Sequence, residues 1–493
     1  MPKTMPDIAV IKSLTICLLL ALVPPAFSQA SDDTNSPADY NLPELGDGSS
    51  SKFSLEQEHE LGRAWLKAFR GRVETVSDPL MQDYLEDLTY RLARYSALSD
   101  KRLELVIVNN RALNAFAVPG GVVGVHNGLL LYADNEAQLA GVLSHELAHL
   151  SQRHFVRSLD KQSASNLSMM AGLLAGIVLA ATTGSDAGIA AIATGQAAAM
   201  QSQLRFSREH EQEADRIGMQ TLSKAGMDPG GIPTMFEIMN RRLRFNSNRP
   251  PEFLLTHPLT ENRISDAANR ARQYPRNVYT DNLNFQLMKK RAELELANNK
   301  RDLLNQWQHE QQTKPSEASS YGLVIALMAN DKWQEAGEQL QPLLAEDPNR
   351  IAYLVASANI LAGQNDYSQA IQQLRKQLAI NPGNNALVMT LADILQRAGR
   401  SPEAEELLVD QSKRRPDDPA LWYQLAEVHG LSGNILGVHT ARAEYFILRG
   451  FLDSAEKQLH YAWPLTEGNK VARHRLSRRI KDLQELRDTL KKF

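Results

Sequence analysis

The chain has one cysteine in 493 residues, Cys17, and it sits in an apolar run close to the N-terminus. Once such a leader is removed, no disulfide and no thiol nucleophile remains, so stability rests on packing and metal binding. Neither sign of charge is in excess. Lys and Arg number 54 against 57 Asp and Glu, a net of −3, and nothing in that balance points to a nucleic-acid partner. Long apolar runs are also scarce. Leu14 to Val23 is too short to span a bilayer comfortably. The uncharged stretch Ser163 to Ser185 is long enough, but small side chains and Thr182-Thr183-Gly184-Ser185 leave it only marginally apolar.

Lys3 and Lys12 precede the first run, and Pro24-Pro25-Ala26-Phe27-Ser28-Gln29-Ala30 follows it. That order predicts a secretory signal peptide over 1–30, cut after Ala30, with a retained anchor as the competing reading. Residues 31–52 are rich in Ser, Asp, Asn, Pro and Gly and read as a flexible leader.

The most informative stretch is Gly141-Val142-Leu143-Ser144-His145-Glu146-Leu147-Ala148-His149-Leu150. Leu139, Val142, Leu143, Leu147 and Leu150 recur every three or four residues, so a helix with a buried apolar side is expected. His145 and His149 then share a face and can grip one metal ion, while Glu146 points towards it without being a ligand. A carboxylate so placed can take a proton from water and deliver it to a leaving amine, the zincin arrangement. An ordinary surface helix with two histidines is the bland alternative.

A catalytic zinc site usually takes three protein ligands, so a third is needed. Glu211, in a second helix from about Ser207 that ends near Lys224-Ala225-Gly226, is the candidate. Asp215 lies one turn on, able to accept a hydrogen bond from a ligand histidine, and Ala214 keeps the helix approach uncrowded. Glu209 and Glu213 are expected to be solvated, and His210 to face away. Two histidines and a carboxylate would also accept other divalent ions.

His145-Glu146-x-x-His149 followed by Glu211-x-x-x-Asp215, with Asn114-Ala115-Phe116-Ala117-Val118-Pro119-Gly120-Gly121 upstream, resembles the gluzincin family that includes the membrane heat-shock protease and the CAAX prenyl protease. With the repeats described below, the whole mature chain is similar to periplasmic members of that family. The resemblance implies zinc endopeptidase activity in the periplasm on unfolded or misassembled outer-membrane proteins. It also implies a second role in helping them assemble, and docking onto the outer-membrane assembly machinery. A prenyl-type activity on lipidated tails would call for a multi-span membrane chamber that this chain lacks.

Helices are expected from Ser54 to about Arg70 and from Pro79 to Ser96. A strand is expected at Leu103 to Val108, and a hairpin from Ala115–Val118 with Gly120–Val125 beside the catalytic helix. An exposed strand edge there would pair with any extended substrate, with Asn114 a possible substrate contact; a purely structural sheet is the alternative. His126 reads as a turn or core histidine. The stretch 163–203, with Asp186 its only charge, reads as a buried or partner-facing helical hairpin, with membrane-surface contact as the alternative. In Thr256-His257-Pro258-Leu259-Thr260-Glu261-Asn262-Arg263, similar to the family's His-Pro segment, His257 either donates to an oxyanion or fills the metal's open position as a latent switch. A helix-entrance histidine is the bland option. Arg263 is expected to orient Asp215 or the substrate carbonyl.

Further on, Pro348, Pro382 and Pro416 are 34 residues apart, as are Ala336, Ala370 and Ala404, and Leu340, Leu374 and Leu408. This is the tetratricopeptide period, giving three clear units with degenerate ones on each side, and a concave surface for peptides or partner proteins. The register slips where Val438 occupies the Ala position, and Ala455, Leu459 and Ala462 begin an offset helix. Leu476, Ile480, Leu483, Leu486 and Leu490 stripe a last helix that caps the stack, with a basic face open to an acidic partner or anionic lipid.

The expected fold is mainly α: a zincin-type α+β metalloprotease domain with a small sheet over 53–283, a helical connector over 284–316, an α-solenoid of tetratricopeptide repeats over 317–465 and a capping helix over 466–493. Each large domain is expected to bury its own core. The rival reading is a chaperone or adaptor that works through its repeats with a latent metal site.

Overall fold

A computed structural model describes residues 54–161, 206–245, 251–275, 279–280 and 282–490. The expected leader and the stretch 163–203 lie outside them. Among the described residues no helix is long and apolar enough to cross a membrane.

The N-terminal part opens with α1 (Leu55–Arg70), started by a capping box in which the Ser54 hydroxyl accepts from Gln57 N and the Gln57 side chain accepts from Ser54 N. Next comes α2 (Pro79–Tyr95), where Asp78 caps Leu80 N and Met81 N. Three strands follow, β1 (Glu104–Val108), β2 (Ala115–Val118) and β3 (Val122–His126), in the order β1-β3-β2. β1 runs parallel to β3 with Glu104 opposite Val122, and β2 runs antiparallel to it with Ala115 opposite Val125. The expected hairpin is therefore present. Its turn requires positive φ at Gly120 (87°) and Gly121 (79°), a backbone that glycine adopts at no steric cost.

β1 alternates poorly in sequence because both faces of the sheet are covered. Val106, Val108, Phe116, Val118 and Val122 meet Leu61, Trp65 and Phe69 of α1, while Leu105, Ile107, Val123 and Val125 join the main core. Phe116 lies flat across Gly124, where a Cβ would come within 2.1 Å of the ring.

α3 (Asn127–Tyr132) leads into α4 (Glu136–Ser151), the helix carrying the histidine motif, capped by Asn135. Then come α5 (His154–Lys161), α6 (Arg208–Lys224), α7 (Gly231–Phe245), the single turn α8 (Phe253–Thr256) and α9 (Glu261–Ala271). α4 packs on both α6 and α7. Close approach demands small residues: a Cβ at Gly231 would sit 2.1 Å from the Ala137 carbonyl oxygen, and one at Gly218 would sit 3.2 Å from His145 N.

The remainder is helical pairs: α10 (Leu283–Glu295) with α11 (Lys300–Thr313), α12 (Glu317–Met328) with α13 (Trp333–Glu346), α14 (Ile351–Gly363) with α15 (Tyr367–Ile380), α16 (Asn385–Arg397) with α17 (Ser401–Arg414), and α18 (Pro419–Leu431) with α19 (Ile435–Leu448). α20 (Leu452–Ala462) and α21 (Lys470–Leu490) finish the chain. Ala336, Ala370 and Ala404 are fully buried where helices cross, as the period requires. In α19 Gly437 meets the preceding helix beside Val438, with the His429 ring 2.6 Å from a would-be Cβ at Gly437. On α21, Leu476 and Leu483 are buried against Ala455, Leu459 and Ala462, while Arg473, Arg475 and Arg478 face solvent.

The buried residues of the two large parts are in contact with one another. One apolar cluster runs without a break from Val76 and Met81 through Leu143 and Phe285 to Ala441. Stacked pairs need an apolar neighbour at each end, and α10 finds its own on α2 and α3. The repeats then curl back onto the protease part. Arg415 clasps Glu86 at 2.8 and 3.0 Å, Asp83 accepts from Ala386 N, and the Arg70 guanidinium donates to the Asp417 carbonyl. Beyond these, α1 touches α19 and α21, with Gly71 against the Arg449 carbonyl and Gly450 against that of Lys67.

Candidate metal centre

One helical turn separates His145 and His149 on α4, and Asn135 and Ser207, as caps, fix where α4 and α6 begin. Ala214 is fully buried and Gly218 lies against Ser144, so the two helices approach closely enough for Glu211 to reach the histidines. His145 Nε2 and His149 Nε2 are 3.0 Å apart. Glu211 Oε2 lies 3.6 Å from the first and Glu211 Oε1 lies 3.4 Å from the second. His257, which ends α8, brings its Nδ1 to 3.0 Å from Glu211 Oε1 and 3.4 Å from His145 Nε2. One ligand atom from each of the four lies within 4.8 Å of every other, and all four residues are buried.

Four ligands at zinc-like bond lengths in a tetrahedron sit about 3.3 Å from one another, and the observed separations straddle that value. Two further observations fit a cation here. Imidazole nitrogens and a carboxylate converge on one buried point, the donor set a divalent ion takes, and the buried Glu146 Oε1 receives no hydrogen bond, with His257 Nε2 3.5 Å away. The residues present therefore fit a divalent metal ion.

The surrounding groups hold the ligands in place. Asp215 Oδ1 is 2.9 Å from His145 Nδ1, the ring nitrogen that points away from the cluster. Arg263, 3% exposed, grips Asp215 with two contacts of 2.8 Å and reaches Glu211 Oε2 at 2.6 Å. Its side-chain contacts run to Asp215, Glu211 and the Pro258 carbonyl. Burial opposes charge throughout, and the partners decide the outcome. Asp215 and Glu211 outweigh it and push His145 up to about 9. His257, His145 and His149 hold the Glu211 carboxyl well below its usual range, and Arg263 holds Asp215 down. Glu146 has weaker compensation, so burial raises it. Desolvation keeps His149 neutral.

Asn114 is buried just before β2, its carbonyl accepting from His126 N. β2 is an edge strand packed beside α4. His126 is a core histidine, wholly buried beside Phe116 and pushed down to about 3 by desolvation.

Sequence reasoning missed a second group. Arg153, at φ 49°, breaks α4 and turns the chain so that His154 Nδ1 lies 3.0 Å from His149 Nδ1. Glu213, expected in solvent, is instead 3.1 Å from His154 Nε2 and from Arg157. His210 stacks on His154 at 4.4 Å. Phe206 and Phe253 flank the His257 ring on two sides. The break at Arg153 removes the helical spacing on which the reading relied, and five residues after His149 is off any shared helix face.

Two crossing helices that bring His-Glu-x-x-His and a glutamate to one buried point define a metalloprotease. Residues 79–271 match peptidase family M48, and residues 361–428 match a tetratricopeptide repeat. The beta-barrel assembly-enhancing protease of Escherichia coli (strain K12) is 36% identical over 360 residues, 72% of this chain and 72% of that protein. The putative beta-barrel assembly-enhancing protease of Vibrio cholerae is 34% identical over 352 residues, 70% of each. A mitochondrial metalloendopeptidase of Schizosaccharomyces pombe is 32% identical over 181 residues, 37% of this chain and 50% of that one. The chain belongs to the beta-barrel assembly-enhancing proteases of peptidase family M48.

Proposed function

We propose that this protein is an exported, periplasmic zinc metalloendopeptidase that degrades misfolded or stalled outer-membrane proteins and assists their assembly. The observation that carries the reading is the convergence of His145, His149 and Glu211 beside Glu146, whose buried Oε1 receives no hydrogen bond. Those three residues would hold the ion. When bound, it would polarise a scissile carbonyl and acidify a water near neutral pH. Glu146 takes the proton and later delivers it to the leaving amine. Asp215, braced by Arg263, fixes the ring of His145. The free edge of β2 pairs with an extended substrate segment through backbone hydrogen bonds, which suits clients defined by being unfolded rather than by sequence. The repeat surface selects clients or docks the enzyme onto an assembly machine.

Degradation of an unfolded outer-membrane β-barrel protein by the mature chain tests the reading. Cleavage should vanish with chelator and fall by about 10²- to 10⁴-fold in Glu146→Gln. Cleavage that persists in either would remove the proposed mechanism.

His257 supports a second reading, a chaperone or adaptor with a latent site. Its Nδ1 sits among the ligand atoms and its Nε2 faces Glu146, so it fills the position a substrate carbonyl needs. His257→Ala should then raise proteolysis; a fall as deep as that of Glu146→Gln would instead make His257 catalytic. Full rescue of an outer-membrane defect by Glu146→Gln would favour the chaperone.

A further inference from the structure

A histidine that binds metal through Nε2 must carry its proton on Nδ1, and the group that accepts this proton fixes the tautomer and the ring orientation. For His145 that group is Asp215. Among the described residues, no carboxylate lies against His149 Nδ1. Its Nδ1 faces His154 Nδ1 at 3.0 Å, and His154 Nε2 faces Glu213 Oε2 at 3.1 Å.

With both histidines neutral and Glu213 ionised, only one proton arrangement satisfies every link in that line. Glu213, an acceptor, takes the Nε2 proton of His154, which leaves Nδ1 of His154 with a lone pair. That lone pair accepts the Nδ1 proton of His149, so His149 Nε2 presents its lone pair to His145 and Glu211. His154 is wholly buried and held against rotation by the His210 ring, stacked at 4.4 Å with an angle of 11° between planes. Arg157 Nη1, 3.1 Å from Glu213, keeps that carboxylate aimed inward.

We propose that His154, oriented by Glu213, is a positioning residue that sets the tautomer and direction of His149. This inference rests on His149 being a metal ligand. The two ligand histidines would then be oriented from opposite sides by different chemistry, a carboxylate–arginine pair for His145 and a histidine–glutamate pair for His149.

The test is zinc affinity of the full chain by competition with a chromophoric chelator, with melting of the metal-free protein as a check on folding. His154→Phe keeps the ring but removes the acceptor and should weaken zinc binding about 10- to 100-fold. His154→Gln can accept through its carbonyl and donate through its amide, so it should stay close to wild type. Glu213→Ala, at a partly exposed position, should weaken binding by a smaller factor and decides the matter if His154→Phe does not fold. Unchanged affinity in His154→Phe or in Glu213→Ala, or a loss in His154→Gln equal to that in His154→Phe, overturns the proposal. A wild-type chain that binds no zinc would sink the site reading instead.

Discussion

Asp215→Asn probes the scaffold of the metal centre with almost no change in shape. Asp215 is 4% exposed, accepts two contacts of 2.8 Å from Arg263 and lies 2.9 Å from His145 Nδ1. An amide has one good acceptor where the carboxylate had two, so either the guanidinium or the imidazole loses its partner. Arg263 keeps Glu211, which limits the damage, but losing one charge-assisted hydrogen bond and half of a buried ion pair still costs the metal-free protein about 3 kcal/mol. Separately, loss of the carboxylate behind a ligand histidine weakens metal binding about 10- to 100-fold. By linkage, the extra stability that a fixed excess of zinc confers should then shrink by about 1.4–2.7 kcal/mol. Unfolding curves of wild type and Asp215→Asn, each with and without zinc, separate the two effects. An unchanged zinc-dependent shift, whatever happens to the metal-free protein, would refute the role given to Asp215.

Helix spacing and the repeat interface offer two further tests. Gly218→Val would push branched methyls into the 3.2 Å gap to His145 N and Ser144 Oγ. It should cost about 1–3 kcal/mol and lower zinc affinity by moving Glu211, whereas Gly218→Ala should be milder; equal zinc affinity in all three chains would count against a close α4–α6 approach. Asp83, against the repeats, is pushed up to about 6 by burial, only partly offset by Arg415 and Ala386 N. The folded chain therefore keeps a proton that the unfolded chain has lost between the ordinary value of 3.8 and about 6, so this group's stabilising contribution is complete below that window and disappears as pH rises through it. Denaturation midpoints of Asp83→Asn should show a flatter pH dependence than wild type across the window, and identical slopes would contradict the shift.

What could be read in advance follows from what each signal encodes. Metal spacing on one helix, a period of 34 residues and a glycine-rich hairpin turn are local patterns, and each survives into the fold. The sheet was legible as strands but not as a sheet covered on both faces, because partners for β1 come from α1 on one side and from α2 on the other. Glu213 looked solvated because its partner, His154, is brought near only by the left-handed residue Arg153. His257 was legible as a suspect, its Pro258 marking a loop, yet only tertiary packing between Phe206 and Phe253 fixes its ring beside Glu211. The continuous core was not legible at all, since repeat periodicity says nothing about what the first and last units rest on.

An open solenoid can gain or lose a unit at little cost, because each unit touches only its neighbours. Here the stack leaves the protease part at α10 and meets it again at Ala386, Arg415, Arg449 and Gly450. It is a hoop with a clasp. Inserting or deleting one 34-residue unit would carry the clasp residues away from Glu86 and α1, so the number of repeats is tied to the contacts at both ends of the stack.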